Sequence, residues 1–318
     1  MPRRLEYPSA NHTRPHTPRM PRRPDYPSAN HTRPHTPRMP RRPEYPSANH
    51  TRPHTPRMPR RPDPACLTGR MAEILVTGAT GTVGRRLVER LRDRGDIVRA
   101  LSRRSGPGLV TGDLATGAGI EAAVDGVDTI VHLATTNHDD SGIARTLVEA
   151  IGPERRAHLV LLSIVGIDRN PLPYYRGKLA TESVVTGSGV PHTILRATQF
   201  HSFVTSLLDA QRYSPVLVAP SISLQPIDVG ELVDRLVELI DTAPSGRAPD
   251  IGGPEVRTVR SLAEAYRTAR GSRRPIMPLR LPGATFRAFR SGAALVPAAQ
   301  TTTVTFEQFL AARDSLVP

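Results

Sequence analysis

The chain has 318 residues, a formal net charge of +14 and one cysteine. That cysteine, Cys66, excludes an intramolecular disulfide, and no stretch is long and apolar enough for a membrane span or a signal peptide. We therefore expect a cytoplasmic protein of one large or two small domains. The charge would suggest a nucleic-acid partner, but it is concentrated in residues 1–70, which hold 15 arginines against 4 acidic residues.

Residues 1–70 form a tandem repeat. The block M-P-R-R-x-x-Y-P-S-A-N-H-T-R-P-H-T-P-R begins at Met1 and recurs every 19 residues. Its prolines interrupt helices and ladders and it offers little apolar surface, so we predict disorder. One interpretation is a basic arm that binds nucleic-acid phosphates weakly and non-specifically. We favour the other, in which a DNA repeat is translated upstream of a true start at Met71, because the copies are nearly identical.

A strand, a glycine loop and a helix are predicted next. The apolar run of residues 73–76 indicates a buried parallel strand. The sequence T-G-A-T-G-T-V-G occupies residues 77–84, and apolar residues at helical spacing then predict a helix that ends at Gly95. This order is typical of a loop that binds a dinucleotide pyrophosphate at a helix N-terminus.

The three glycines of this loop have separate expected roles. Gly78 allows the tight turn out of the strand, and Gly81 lets the backbone approach a pyrophosphate without a Cβ in the way. Gly84 lets the helix pack closely on the sheet. The alternative, a glycine-rich turn without a ligand, is less favoured because strand and helix flank the loop in the required order.

The end of the second predicted strand bears on the choice of cofactor. Residues 97–101 form this strand, and Ser102-Arg103-Arg104 follow it without an acidic residue. An acid at this place binds the ribose hydroxyls of NAD, whereas an arginine suits the 2′-phosphate of NADP. We therefore expect NADP(H) in preference to NAD(H), with Arg103 as the phosphate ligand. The alternative is that both arginines are merely solvated.

Strands and helices alternate along the remaining chain. Strands are predicted at residues 109–110, 128–134, 158–164 and 191–200, and helices at residues 118–124, 143–151 and 229–240. Asp228 is the expected N-cap of the last helix, and residues 261–264 indicate a further capped helix. The pattern predicts an α/β fold, a Rossmann-type doubly wound parallel sheet in residues 71–318, preceded by the disordered repeats. A small C-terminal substrate lobe is expected from about residue 200, with residues 275–318 over the cleft.

Two adjacent tyrosines precede a lysine in P-Y-Y-R-G-K, residues 173–178. Tyr174 and Lys178 are four residues apart and share a helical face, whereas Tyr175 lies on a neighbouring face. Ser163 ends the fifth predicted strand at its carboxyl end, where ligands bind in open α/β sheets. Together these groups could serve proton transfer. The alternative is a helix with two half-buried tyrosines and a solvated lysine.

Several motifs coincide in this chain: V-T-G-A-T-G-T-V-G, G-D-L, D-T-I-V-H-L-A, L-L-S-I-V-G-I-D, Y-Y-R-G-K-L-A-T-E and P-H-T-I-L-R-A-T-Q-F. Together they resemble the short-chain dehydrogenase/reductase superfamily. Within it they look like the atypical, NmrA-like NAD(P)H-binding branch, often labelled NAD-dependent epimerase/dehydratase. The resemblance runs from Met71 to the C-terminus, is strongest up to Phe200 and does not include the repeats.

The resemblance implies a set of cofactor-binding residues. The pyrophosphate would be held by Thr77, Gly78, Ala79, Thr80, Gly81, Thr82, Val83 and Gly84. Arg103 would bind the 2′-phosphate, and Asp113 and Leu114 would flank the adenine. Ala134 and Thr135 would line the nicotinamide side after the fourth strand.

The resemblance also implies a catalytic set, Ser163, Tyr174 and Lys178. In such enzymes the lysine lowers the pKa of the tyrosine and bonds the nicotinamide ribose. The tyrosine then passes a proton to or from the substrate oxygen while hydride moves at the nicotinamide. The superfamily often places an asparagine in the helix after the fourth strand, but residues 143–150 contain none and Thr146 occupies a comparable position.

These observations predict an NADP(H)-dependent oxidoreductase or epimerase-like enzyme that acts on a small carbonyl or hydroxyl compound. Residues 196–200 are expected to face the nicotinamide and the substrate. The alternative function is a non-catalytic NAD(P)(H)-binding redox sensor that reports to a protein partner. The histidines show no metal-ligand spacing, so no metal is assigned. The oligomeric state is left open.

Overall fold

A computed structural model describes residues 72–136, 140–296 and 302–314, and the predicted disordered repeats lie outside these ranges. The described strands, in chain order, are β1 Glu73–Thr77, β2 Ile97–Ser102, β3 Leu109–Thr111, β4 Thr129–His132, β5 His158–Ile164, β6 His192–Ala197, β7 Leu217–Pro220, β8 Ser223–Leu224, β9 Gly246–Arg247, β10 Arg257–Thr258 and β11 Ile276–Leu279. The described helices are α1 Thr82–Asp93, α2 Ile120–Val124, α3 Asp140–Ile151, α4 Pro173–Gly187, α5 His201–Asp209, α6 Val229–Ile240, α7 Val259–Ala269, α8 Ala284–Arg290 and α9 Phe306–Asp314.

A seven-stranded parallel sheet forms the centre of the fold, with the strand order β3-β2-β1-β4-β5-β6-β9. The chain builds outward from β1 to β3, then returns to place β4 on the other side of β1. The order therefore reverses between β1 and β4, and open α/β sheets bind their ligands at such a reversal, beyond the carboxyl ends of the strands. The predicted Rossmann-type doubly wound sheet is confirmed.

Helices cover both faces of this sheet because its strands are buried on both sides. In β1, Ile74 and Val76 join a core with apolar residues of α1 and α6. Leu75 points to the opposite face and joins a second core with apolar residues of α2, α3 and α4. This division follows the alternation of side chains along a strand, and it explains why the strands read as continuous apolar runs.

A third core lies in the C-terminal part of the chain. It collects buried apolar residues from α5, β7, β8, α7 and α9, among them Leu217, Leu262, Phe306 and Leu310. Strand β11 pairs in parallel with β7, and β10 pairs antiparallel with β8. From residues 275–318, Phe306 and Leu310 of α9 join this core, whose other buried members lie between residues 204 and 266. The role of residues 275–318 as a cover of the substrate cleft remains a prediction.

The sequence predicted a helix end correctly where one capping residue or one glycine determines it. Helix α6 spans the predicted residues, and the carboxylate of Asp228 caps it by accepting hydrogen bonds from the backbone N of Gly230 and Glu231. Helix α1 ends before Gly95, whose φ of +91° lies in the left-handed region that favours glycine.

Two helices begin earlier than their sequence pattern predicted. Helix α3 begins at Asp140 rather than at residue 143, and the carboxylate of Asp140 accepts a hydrogen bond from the backbone N of Thr136 in the preceding loop. Helix α7 begins at Val259, with Thr258 as its cap: the Thr258 hydroxyl accepts from the backbone N of Ser261. In α3 the first buried apolar residue, Ile143, comes three positions after the helix begins, whereas in α7 the first helical residue, Val259, is itself apolar and buried. The predicted strands at β4 and β6 also overran, since these end at His132 and Ala197.

Two helical glycines allow a steric effect on stability to be compared with an effect of helix propensity. A Cβ at Gly84 would lie 2.2 Å from the carbonyl oxygen of Gly78, whereas a Cβ at Gly177 would meet nothing within 4 Å. We expect Gly84→Ala to lower the free energy of unfolding by about 1–3 kcal/mol, because the backbone must shift. Gly177→Ala should raise it by about 0.5–1 kcal/mol through helix propensity. Urea unfolding measures both, and a neutral Gly84→Ala would contradict the close contact.

Candidate functional site

The glycine loop lies between β1 and α1 at the reversal of strand order. Gly78 has a φ of +66°, and a Cβ there would come within 2.8 Å of the backbone N of Ala134. The backbone N of Gly81 donates to the carbonyl oxygen of Gly78 at 3.0 Å, which closes the turn. Glycine is therefore required at position 78 both by conformation and by the close approach of the chain after β4.

The N-terminus of α1 fits an anion. Gly81 precedes the helix, no described side chain caps it, and its first turn contains no acidic residue. The free N–H groups of Thr82, Val83 and the residues beside them, together with the positive end of the helix dipole, suit a phosphate. The glycine loop could therefore hold the pyrophosphate of a dinucleotide, and the residues that would bind it stay a prediction.

Thr77 joins the loop after β4 to the end of β1. Its hydroxyl accepts hydrogen bonds from the backbone N of Leu133 and Ala134 at 3.2 and 3.3 Å. The hydroxyl hydrogen is thereby left for Nδ1 of His132, 2.8 Å away. Burial, reinforced by the charge of Lys178, lowers the pKa of His132 to about 3. The imidazole is therefore neutral, with its hydrogen on Nε2.

The residues expected around the adenosine half follow β2 and β3. Arg103 and Arg104 are exposed, and the backbone N of Arg104 donates to the Ser102 hydroxyl at 3.0 Å. Leu114 is buried, and the carboxylate of Asp113 accepts from the backbone N of Ala115 at 2.9 Å, which shapes the turn after β3. The sequence thus leaves exposed guanidinium groups beyond β2, where an acid would favour NAD.

A buried ion pair connects α4 with the start of α3. Nζ of Lys178 lies 2.8 Å from Oδ2 of Asp140, and their side chains are 9% and 5% exposed. Thr135, expected to line the nicotinamide, donates its hydroxyl to the same carboxylate at 2.7 Å, and the backbone N of Thr136 donates at 2.6 Å. Burial alone would raise the pKa of Asp140, but Lys178 and the threonines outweigh it and lower the pKa to about 2.

Asp140 is a site residue that the sequence prediction missed. The predicted helix began at residue 143, so this acid was assigned to the preceding loop. What the sequence could not indicate is its partner, since Lys178 comes from another helix.

The two tyrosines of α4 have different surroundings. Tyr175 is 5% exposed, packs edge-on against Phe289 with ring centroids 6.0 Å apart, and accepts a 3.4 Å contact from Nε2 of Gln199. Burial raises the pKa of its phenol. Tyr174 is only half-buried, and its ring centroid lies 5.9 Å from Nζ of Lys178. The geometry therefore places Tyr174 next to both the lysine and the solvent.

Two polar atoms near the carboxyl ends of β5 and β6 are buried without a partner among the described residues: Oγ of Ser163 and Oε1 of Gln199. Buried polar groups are normally hydrogen-bonded, so unpaired ones are candidates for binding a ligand. Together with the glycine loop, they fit a cofactor and a polar substrate at this edge.

Arg196 does not face the expected substrate region. Its guanidinium forms a bidentate pair with Glu182 at 2.7 and 2.6 Å and also contacts Asp168 at 3.2 Å. Thr198 is also buried, and its hydroxyl donates to the carbonyl oxygen of Gln225 at 2.5 Å. The expectation that residues 196–200 line the site is thus wrong for Arg196, because a buried guanidinium must be paired with an anion.

Within the described ranges, no group of three His, Cys, Asp or Glu side chains could hold a metal ion. In the same part of the chain, no helix combines the length and the apolar character needed to cross a bilayer.

Comparisons with known proteins indicate the family to which the chain belongs. The model of a family described as NAD(P)H-binding matches residues 78–210. A (4-alkanoyl-5-oxo-2,5-dihydrofuran-3-yl)methyl phosphate reductase from Streptomyces griseus is 33% identical over 202 residues, which cover 59% of this chain and 70% of that protein. A photosystem II assembly factor from Cyanophora paradoxa is 27% identical over 53% of this chain and 60% of its own length.

Solved structures share the fold at low identity. An NADPH-dependent quinone oxidoreductase from Escherichia coli in complex with NADPH superposes with a TM-score of 0.64 at 16% identity, covering 76% of this chain and 99% of that one. A triphenylmethane reductase from Citrobacter sp. gives a TM-score of 0.65 at 16% identity, covering 77% of this chain and 100% of its own. From the family model and the match to the streptomycete reductase, we conclude that the chain belongs to the NAD(P)H-binding family.

Proposed function

We propose that the protein is an NADP(H)-dependent oxidoreductase that acts on a small carbonyl or hydroxyl compound. One observation carries the proposal: a half-buried tyrosine, Tyr174, lies beside a buried lysine, Lys178, in the helix that follows β5. The glycine loop lies at the same edge of the sheet, two strands away. A positioned phenol next to a dinucleotide site is what a proton-coupled hydride transfer requires.

In the proposed reaction the chain supplies proton transfer and orientation. The bound nicotinamide would supply the hydride. Tyr174 donates its phenolic proton to the substrate oxygen, and the hydroxyl of Ser163, which has no described partner, donates a hydrogen bond to the same oxygen. Nζ of Lys178 lies 5.9 Å from the centroid of the tyrosine ring, where the attraction between the ammonium and the ring helps to orient the phenol.

Reduction is the favoured direction because the streptomycete relative is named a reductase. Its named substrate carries a carbonyl group and a phosphate group, which is consistent with a small oxygenated substrate here. A second candidate is a non-catalytic NAD(P)(H)-binding protein. It is supported by the similarity to photosystem II assembly factors from Cyanophora paradoxa and Trieres chinensis, whose names describe no reaction.

Replacing Tyr174 tests the catalytic proposal. We expect Tyr174→Phe to lower kcat by about 100-fold or more, because the proton donor is lost, and to change the NADPH dissociation constant by less than about threefold. NADPH oxidation with a panel of small carbonyl compounds gives kcat. NADPH fluorescence gives affinity, without interference from tryptophan because the chain has none.

Tyr175→Phe is the matched control. It should reduce kcat by less than about fivefold, since among the described residues the Tyr175 hydroxyl makes a single hydrogen-bond contact, at 3.4 Å with Gln199. The opposite ranking would make Tyr175 the proton donor. Wild-type NADPH binding without turnover of any acceptor would favour the non-catalytic candidate.

Replacing Arg103 tests the cofactor preference. We expect Arg103→Ala to weaken NADPH binding by about tenfold and to leave NADH binding unchanged, because only NADPH carries the 2′-phosphate. Arg104→Ala is the control for the loss of a neighbouring exposed charge and should have a smaller effect. Equal affinities for NADPH and NADH in the wild type would show that both arginines are only solvated.

A further inference from the structure

Lys178 is the single lysine in a chain with 43 basic residues. Lysine and arginine carry the same charge but differ in shape: the ammonium is a compact point charge with three donors, whereas the guanidinium is a broad planar fork. All other basic positions of the protein are arginine. The one exception is a side chain enclosed at 9% exposure between the start of α3 and the ring of Tyr174.

The carboxylate that pairs with this ammonium is also fixed by three hydrogen-bond donors other than the lysine. Asp140 accepts from the Thr135 hydroxyl at 2.7 Å, the backbone N of Thr136 at 2.6 Å and the Thr136 hydroxyl at 3.2 Å. These donors come from the segment directly after β4, the segment that Thr77 holds against the glycine loop. Asp140 is thus an anchored anion at the edge where the cofactor would bind.

Burial distinguishes this pair from an ordinary surface ion pair. The pair Arg90–Asp234 also has a 2.8 Å separation, but its side chains are 59% and 55% exposed, and such pairs contribute little. Lys178 and Asp140 are buried, so removing one partner leaves an uncompensated charge inside the protein. The position of Nζ therefore depends on the carboxylate far more than it would at the surface.

We propose that Asp140 is a positioning residue for the reaction proposed above, on which this inference rests. Asp140 touches neither the substrate nor the nicotinamide. It holds Nζ of Lys178 at the end of β4, beside Tyr174, and leaves two ammonium hydrogens for the tyrosine and a ligand.

A double-mutant cycle tests whether Asp140 acts through Lys178. We expect Asp140→Asn to lower kcat by about tenfold or more while the NADPH dissociation constant changes by less than about threefold. Lys178→Met should lower kcat at least as far, and the double variant should be no slower than Lys178→Met alone, because the second change has nothing left to act through. Effects that multiply, or a wild-type kcat in Asp140→Asn, would overturn the inference.

Three variants serve as controls. Asp234→Asn makes the same substitution in the exposed pair and should leave kcat unchanged. Asp140→Glu keeps the charge and should recover part of the activity that Asp140→Asn loses. Lys178→Arg keeps the positive charge at this position. Its kcat should nevertheless lie within about threefold of that of Lys178→Met, since the guanidinium does not fit the enclosed position. If Lys178→Arg retains wild-type kcat, the carboxylate does not position a point charge and the inference fails.

A spectroscopic measurement separates this inference from the proposed function. Because the chain has one lysine, protein labelled with 15N-lysine gives a single side-chain Nζ signal. We expect its hydrogens to be protected from exchange in the wild type and in Asp234→Asn, and to exchange rapidly in Asp140→Asn. An unchanged Nζ signal in Asp140→Asn would overturn the inference even if the wild type turns over. Absence of wild-type turnover would instead overturn the proposed function.

Discussion

The close contact between the end of β1 and the chain after β4 is the constraint on which the candidate site depends. Gly78 has no room for a Cβ because the backbone of Ala134 lies against it, and the hydroxyl of Thr77 accepts two N–H groups from the same segment. This contact brings the glycine loop and the anchored carboxylate of Asp140 to one edge of the sheet. A larger residue at position 78 would move the glycine loop away from the segment that anchors Asp140.

Helix α4 is held by charges rather than by an apolar stripe. Its buried residues are Tyr175, Lys178, Thr181, Glu182 and Val185. Two ion pairs, one helical turn apart, fix it on both sides: Lys178 to Asp140 in α3 and Glu182 to Arg196 in β6. Such buried pairs add little net stability compared with apolar packing, but a shift of α4 by one residue would break both of them inside the protein. The pairs therefore fix the register that places Tyr174.

Much of the fold could be predicted because its signals are local. The glycine loop, the cap at Asp228 and the turn at Gly95 each depend on residues a few positions apart. The strands could be located because both of their faces are apolar. Their ends could not, since the apolar pattern continues into the loops after β4 and β6 although the pairing stops.

The buried ion pairs could not be predicted from the sequence. Asp140 and Lys178 belong to different helices, and Arg196 reads as an ordinary charged residue at the end of a strand until Glu182 is placed beside it. Apolar periodicity says nothing about a helix whose buried face is polar. The choice of Tyr174 over Tyr175 stays a prediction, although the burial of Tyr175 supports it.

The polar face of α4 affects which part of the protein unfolds first. A helix whose buried face contains one aliphatic residue gains little from docking unless both of its ion-pair partners are already in place. Local unfolding should therefore release α4 before it disturbs β1, the glycine loop or α1, which share a large apolar core. Local unfolding of α4 would then displace the proposed proton donor while the glycine loop stays folded. Catalytic activity would therefore be lost at a lower temperature than cofactor binding.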